Sequence, residues 1–111
     1  MTPRRPPKPL SARTERRVDE RSLERLAQDR VRLAKLSPGG APDRPITVES
    51  SSLVELRASA LPCPRCTGEP RVDEHTAHSV DGELLRAART SCKQCGFARV
   101  VWFRIEQRLV N

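Results

Sequence analysis

Cys63-Pro64-Arg65-Cys66 and Cys92-Lys93-Gln94-Cys95-Gly96 are the two stretches that decide how this chain folds. They are a pair of Cys-x-x-Cys motifs separated by 25 residues. A two-residue gap lets a tight turn place both sulfurs of a pair on one cation, while backbone N–H groups point at those sulfurs. Two such turns supply four thiolates, the full tetrahedral shell of a structural zinc ion, whose Zn–S bonds are about 2.3 Å. Gly96 suits the second turn, since a residue just after the last ligand often needs positive φ. Twenty-five residues are enough for the chain to run out and back between the two turns.

The rest of the composition says why a staple is needed. The chain has 111 residues, of which 32% are charged and 3% aromatic, and ten prolines interrupt it. So few large apolar side chains make a thin core, and small domains with thin cores depend on metals or disulfides. Met1 is followed by Thr-Pro-Arg-Arg-Pro-Pro-Lys-Pro, which lacks the apolar run of a signal peptide, and no stretch approaches the ~20 apolar residues of a membrane span. The expectation is therefore a soluble cytoplasmic protein without a membrane partner, where paired cysteines read as metal ligands or redox groups. A thioredoxin-like redox role needs a βαβ context that neither pair has. Iron also suits an S₄ site, but redox iron needs an electron partner that nothing in the sequence suggests. The expected cofactor is one structural Zn²⁺ on Cys63, Cys66, Cys92 and Cys95.

Outward from the cysteines, Arg71–Ala77 reads as a strand, Asp81-Gly82-Glu83 as a turn, and Ala98–Ile105 as the strongest β segment. Leu84–Thr90 has helical composition but the length of a strand. Trp102 and Phe103 face opposite sides of their strand, one toward the core. Upstream, Ile46–Glu49 and Ser52–Arg57 have β-type composition, and Leu53/Glu55 with Val54/Leu56 alternate as in a half-buried strand. Residues 37–45, Ser-Pro-Gly-Gly-Ala-Pro-Asp-Arg-Pro, read as a linker. Residues 11–36 hold no Pro or Gly and are rich in Arg, Glu, Ala and Leu, so one amphipathic helix is expected there. Leu23, Leu26, Ala27, Leu33 and Ala34 form its apolar stripe, broken by Arg30. Arg16–Glu20, Arg21–Glu24 and Arg25–Asp29 stand at ion-pairing distances along it. Residues 1–10 hold four prolines and three basic residues and are expected to be a disordered tail.

The Cys-Pro-x-Cys motif followed by Cys-x-x-Cys-Gly resembles the zinc-ribbon superfamily, over about residues 60–105. That resemblance implies two zinc knuckles and a small antiparallel sheet, and it favours a strand for Leu84–Thr90. Thr67 departs from the pattern, standing where Gly is common. The expected fold is thus a small α+β chain: tail 1–10, helix 11–36, linker 37–45, and a zinc-ribbon over 46–111 with three to four antiparallel strands. A ribbon conveys no single function.

Four thiolates saturate a structural site, so His75 and His78 read as ordinary strand and turn residues. No enzymatic role and no small-molecule substrate are indicated. Charge offers the functional lead. Residues 1–37 carry eleven Lys/Arg against five Asp/Glu, while residues 38–111 are nearly balanced at ten against nine. Nine of the eleven are arginines, suited to bidentate phosphate contacts. Arg4, Arg5, Lys8, Arg13, Arg16 and Arg17 are the candidate nucleic-acid contacts. The opposing reading is a self-paired, solvated helix face, with the sheet or the leucine stripe docking on a larger protein assembly.

Overall fold

The computed structural model describes residue 9 and residues 11–106. The expectations for a disordered tail and for Arg4, Arg5 and Lys8 as contacts fall outside the described residues. The element order is α1 (Ala12–Leu36), β1 (Ile46–Val48), α2 (Ser52–Ala60), β2 (Pro70–Val80), β3 (Glu83–Cys92) and β4 (Ala98–Ile105). The fold is a small α+β arrangement of two helices and one four-stranded sheet with the order β1-β4-β3-β2.

Two expectations are corrected. Ser52–Arg57 is not a strand but the first two-thirds of α2. Its apparent alternation is outweighed by helix formers (Leu, Glu, Arg, Ala) and by Val54 and Ala58, four residues apart, which are both buried. The sheet is also mixed and not wholly antiparallel. β2–β3 and β3–β4 are antiparallel, but β1 runs parallel to β4, with Ile46 opposite Phe103 and Val48 opposite Ile105. Parallel neighbours need a crossover connection. Here α2, the first cysteine turn and the β2–β3 hairpin together lie between β1 and β4 in the chain. Leu84–Thr90 lies within β3, as the ribbon context favours. The hairpin turn at Asp81-Gly82 has positive φ at both residues (51° and 79°), the conformation whose twist matches that of the flanking strands.

One face of the sheet carries the core. Val54 and Ala58 of α2 pack against Val48, Ala88, Val101 and Phe103, with Ile46, Leu53, Leu61, Val72 and Ile105 around them. Phe103 is fully buried. Trp102, on the opposite face, is half-buried with its ring edge-on to His78 at 5.7 Å. So Phe103 anchors the core and Trp102 does not.

α1 is built differently. Ser11 caps its start, accepting from the Thr14 N–H at 3.2 Å. At its end Ser37 Oγ donates to the Leu33 carbonyl at 2.8 Å, and Arg44 to the Lys35 carbonyl at 3.0 Å. None of its residues is buried. Only Ala27, Val31 and Ala34 are half-buried, so the expected leucine stripe is not the face turned to the sheet. Leu23, Leu26, Leu33 and Leu36 stand exposed. The segment 37–45 is a packed turn: Gly39 is buried, and its carbonyl accepts from the Trp102 N–H on the edge of β4 at 2.8 Å. Gly40 passes so close to the end of α1 that a Cβ there would stand 2.1 Å from the Ala34 carbonyl oxygen.

Candidate metal centre

The first cysteine turn leads from α2 into β2, and the second joins β3 to β4. Pairing of β2 with β3 sets Pro70 opposite Cys92, which draws the two turns together at one end of the sheet. The four sulfurs lie within 4.8 Å of one another. Cys63 Sγ is 3.7 Å from Cys95 Sγ, and Cys66 Sγ is 3.3 Å from Cys92 Sγ. Four ligands in a tetrahedron with ~2.3 Å metal–sulfur bonds stand ~3.8 Å apart, so the cluster has the dimensions of one metal shell. A disulfide needs ~2.05 Å, and all four thiols are free.

The two turns are near repeats of each other. In the first, Thr67 N–H donates to the Cys63 carbonyl at 2.8 Å and Cys63 N–H to the Gly68 carbonyl at 2.8 Å. In the second, Gly96 N–H donates to the Cys92 carbonyl at 3.0 Å and Cys92 N–H to the Phe97 carbonyl at 2.9 Å. Thr67 and Gly96 hold the same place and the same left-handed backbone, with φ of 63° and 77°. Thr67 therefore does the conformational work of the usual glycine, at the steric cost a β-branched residue meets there.

Amides point at the sulfurs, as metal-bound thiolates require. Gly68 N–H donates to Cys66 Sγ at 3.3 Å, and the Gln94 and Cys95 N–H groups to Cys92 Sγ at 3.4 and 3.5 Å. The Cys95 amide leads in pulling the Cys92 thiol down from 9.0 to about 6; burial opposes it, and the Gln94 amide and the Cys66 and Cys95 thiols assist. The Gly68 amide likewise acts to lower the Cys66 thiol. It is outweighed by the adjacent Cys92 sulfur, burial, and the Cys95 and Cys63 sulfurs, which push Cys66 up to about 12. Close sulfurs resist ionising together, and a divalent cation relieves that repulsion.

Arg99, which no sequence motif singles out, shares a cleft with Cys63, Pro64 and Thr67. Burial lowers the pKa of its guanidinium while the Cys63 sulfur pulls it back up. A four-thiolate metal shell carries net negative charge, and Arg99 is one of the cations beside it. His75 and His78 lie outside the cluster. His75 faces Glu55 of α2, with Nδ1 3.6 Å from the carboxylate, and His78 is hydrogen-bonded to Thr76 at 2.7 Å.

Arg13, Arg16 and Arg17 stand exposed on α1, away from the cysteines. The expected intrahelical pairs are not made. Glu24 instead reaches Arg65 of the first cysteine turn at 3.1 Å, and Asp29 pairs with Arg32 at 2.8 Å. Among the described residues no helix is long and apolar enough to cross a membrane. No family model matches the chain, and no curated protein and no solved structure is found to match it.

Proposed function

We propose that this chain is a small, non-enzymatic zinc protein of the zinc-ribbon type. In this reading Cys63, Cys66, Cys92 and Cys95 hold one structural Zn²⁺, and the basic N-terminal region contacts nucleic acid. The observation that supports the metal is the closed set of four thiols at tetrahedral spacing, served by backbone amides. A filled S₄ shell leaves no open position for substrate, which argues for a structural ion and against metal-based catalysis. Metal analysis of the purified protein is expected to give about one zinc per chain. Iron in its place, or no bound metal in folded protein, contradicts the assignment.

Nucleic-acid contact is supported by the unneutralised arginines of α1 together with the uneven charge along the chain. Each phosphate contact releases counterions, so binding is expected to weaken steeply with salt and to be largely lost when residues 1–37 are removed. Unchanged binding after that deletion contradicts it. A second reading, a protein-docking module, is favoured by the exposed leucines of α1. It predicts a partner retained at high salt and released by Leu26→Asp with Leu33→Asp.

A further inference from the structure

α1 is two-faced in a way its composition conceals. At about 100° per residue, Arg13, Arg17, Arg21 and Arg25 climb one side at four-residue steps, and Arg32 extends the row. Leu23, Leu26 and Leu33 lie on the opposite side. All five arginines are exposed. Among the described residues Arg13, Arg17, Arg21 and Arg25 form no ion pair. Of the acids nearest them, Glu24 lies on the same side and pairs with Arg65, and Asp29 pairs with Arg32 at the end of the row. Glu15 and Asp19 point to the leucine side, and Glu20 sits at the margin of the ladder.

We propose that this arginine ladder is a contact surface for the phosphate backbone of duplex DNA, with α1 seated along the major groove. The inference rests on the nucleic-acid reading above and specifies its ligand and its residues. From Arg13 to Arg25 the ladder runs ~18 Å with a guanidinium every ~6 Å. Over that length a DNA duplex offers roughly ten phosphates. The helix is exposed at every residue from Ala12 to Leu26, so about four turns stand clear of the sheet. A B-form major groove, about 12 Å wide, admits an α-helix, whereas the deep, narrow major groove of A-form RNA does not. An anionic membrane is the other partner of a basic amphipathic helix. Arg30 stands within the leucine face between Leu23 and Leu26, breaking the apolar surface that such insertion needs.

The test uses the full zinc-loaded chain, a labelled mixed-sequence duplex of about 20 bp, and salt from about 50 to about 200 mM. The ladder variant is Arg17→Gln/Arg21→Gln/Arg25→Gln. A charge-matched variant, Arg30→Gln/Arg57→Gln/Arg71→Gln, removes three exposed arginines from elsewhere, and far-UV circular dichroism checks that both remain helical. The ladder variant is expected to lose about tenfold or more in affinity and to flatten the log–log salt slope by roughly three, with a clearly smaller loss in the matched variant. Equal losses in the two variants overturn the ladder while leaving nucleic-acid binding standing. Failure of the wild-type protein to bind any duplex or single strand at low salt overturns both. Duplex RNA bound as tightly as DNA, or phosphatidylglycerol vesicles bound in preference to either, also overturns the proposal.

Discussion

The sheet and α1 are stabilised by opposite means. The sheet and α2 bury a continuous cluster around Phe103, Val101, Ala88 and Val54, closed at one end by four thiols. α1 is 25 residues long and buries nothing. It leans on the rest through Ala27, Val31 and Ala34, a capped end and one ion pair, Glu24–Arg65. On the proposed function, the difference separates two tasks within one short chain. There the four-cysteine region supplies a fixed platform, and α1 offers its exposed charge to a partner. A thin core can support such a platform only if something replaces the missing apolar volume, and the cysteine cluster is the feature placed to do so.

Losing a thiol is expected to break the comparison most severely. Structural zinc contributes on the order of 10–16 kcal/mol of apparent binding free energy that is also folding free energy. Cys92→Ser, which removes a buried ligand and the acceptor of two amides, should abolish tight zinc binding and disperse the strand signals in an NMR spectrum. Acidification acts on the same site. The Cys92 thiol, lowered in the folded chain to about 6, favours folding in the thiolate form; this contribution is fully present above its ordinary 9.0 and is lost as pH falls toward 6. Zinc uptake displaces the protons carried by the cysteine thiols, so it should release protons into the buffer. Affinity should therefore fall as the pH is lowered, in step with the number of protons released. Calorimetry in buffers of different ionisation enthalpy reads the proton count.

Paired core and surface substitutions sharpen the contrast. Phe103→Ala should cost about 3–5 kcal/mol in denaturant unfolding, whereas Leu26→Ala on α1 should stay within about 0.5 kcal/mol. The smallest expected effect is a gain. Thr67→Gly relieves a β-branched residue at φ 63° and should raise stability by about 0.5–1 kcal/mol, net of the chain entropy glycine adds to the unfolded state. A loss would mean that the Thr67 hydroxyl, which donates to the Cys66 carbonyl at 2.6 Å, matters more than the backbone.

The cysteine spacing was the most legible feature, because ligand geometry is local: two residues between sulfurs determine a turn whatever surrounds it. Helix α1 was equally legible from its composition and its lack of Pro and Gly. Ser52–Arg57 reads as a strand because Leu53-Val54-Glu55-Leu56 satisfies two periodicities at once, and only the sheet face that receives Val54 and Ala58 of α2 decides between them. The parallel pairing of β1 with β4 and the approach of Arg99 to Cys63 depend on which strands become neighbours, which no local pattern records. The ion pairs of α1 failed for a related reason. Spacing permits Arg21–Glu24, but Arg65, 41 residues further on, takes the carboxylate.

Hydrogen–deuterium exchange on the full chain, zinc-loaded and then stripped with a chelator, tests most directly the claim that one metal holds the sheet while α1 stands apart. Amide protection should collapse across β2, β3, β4 and α2 on metal removal while the first four turns of α1 exchange as before. Strands that keep their protection without metal, or an α1 that loses protection in step with them, would contradict the account.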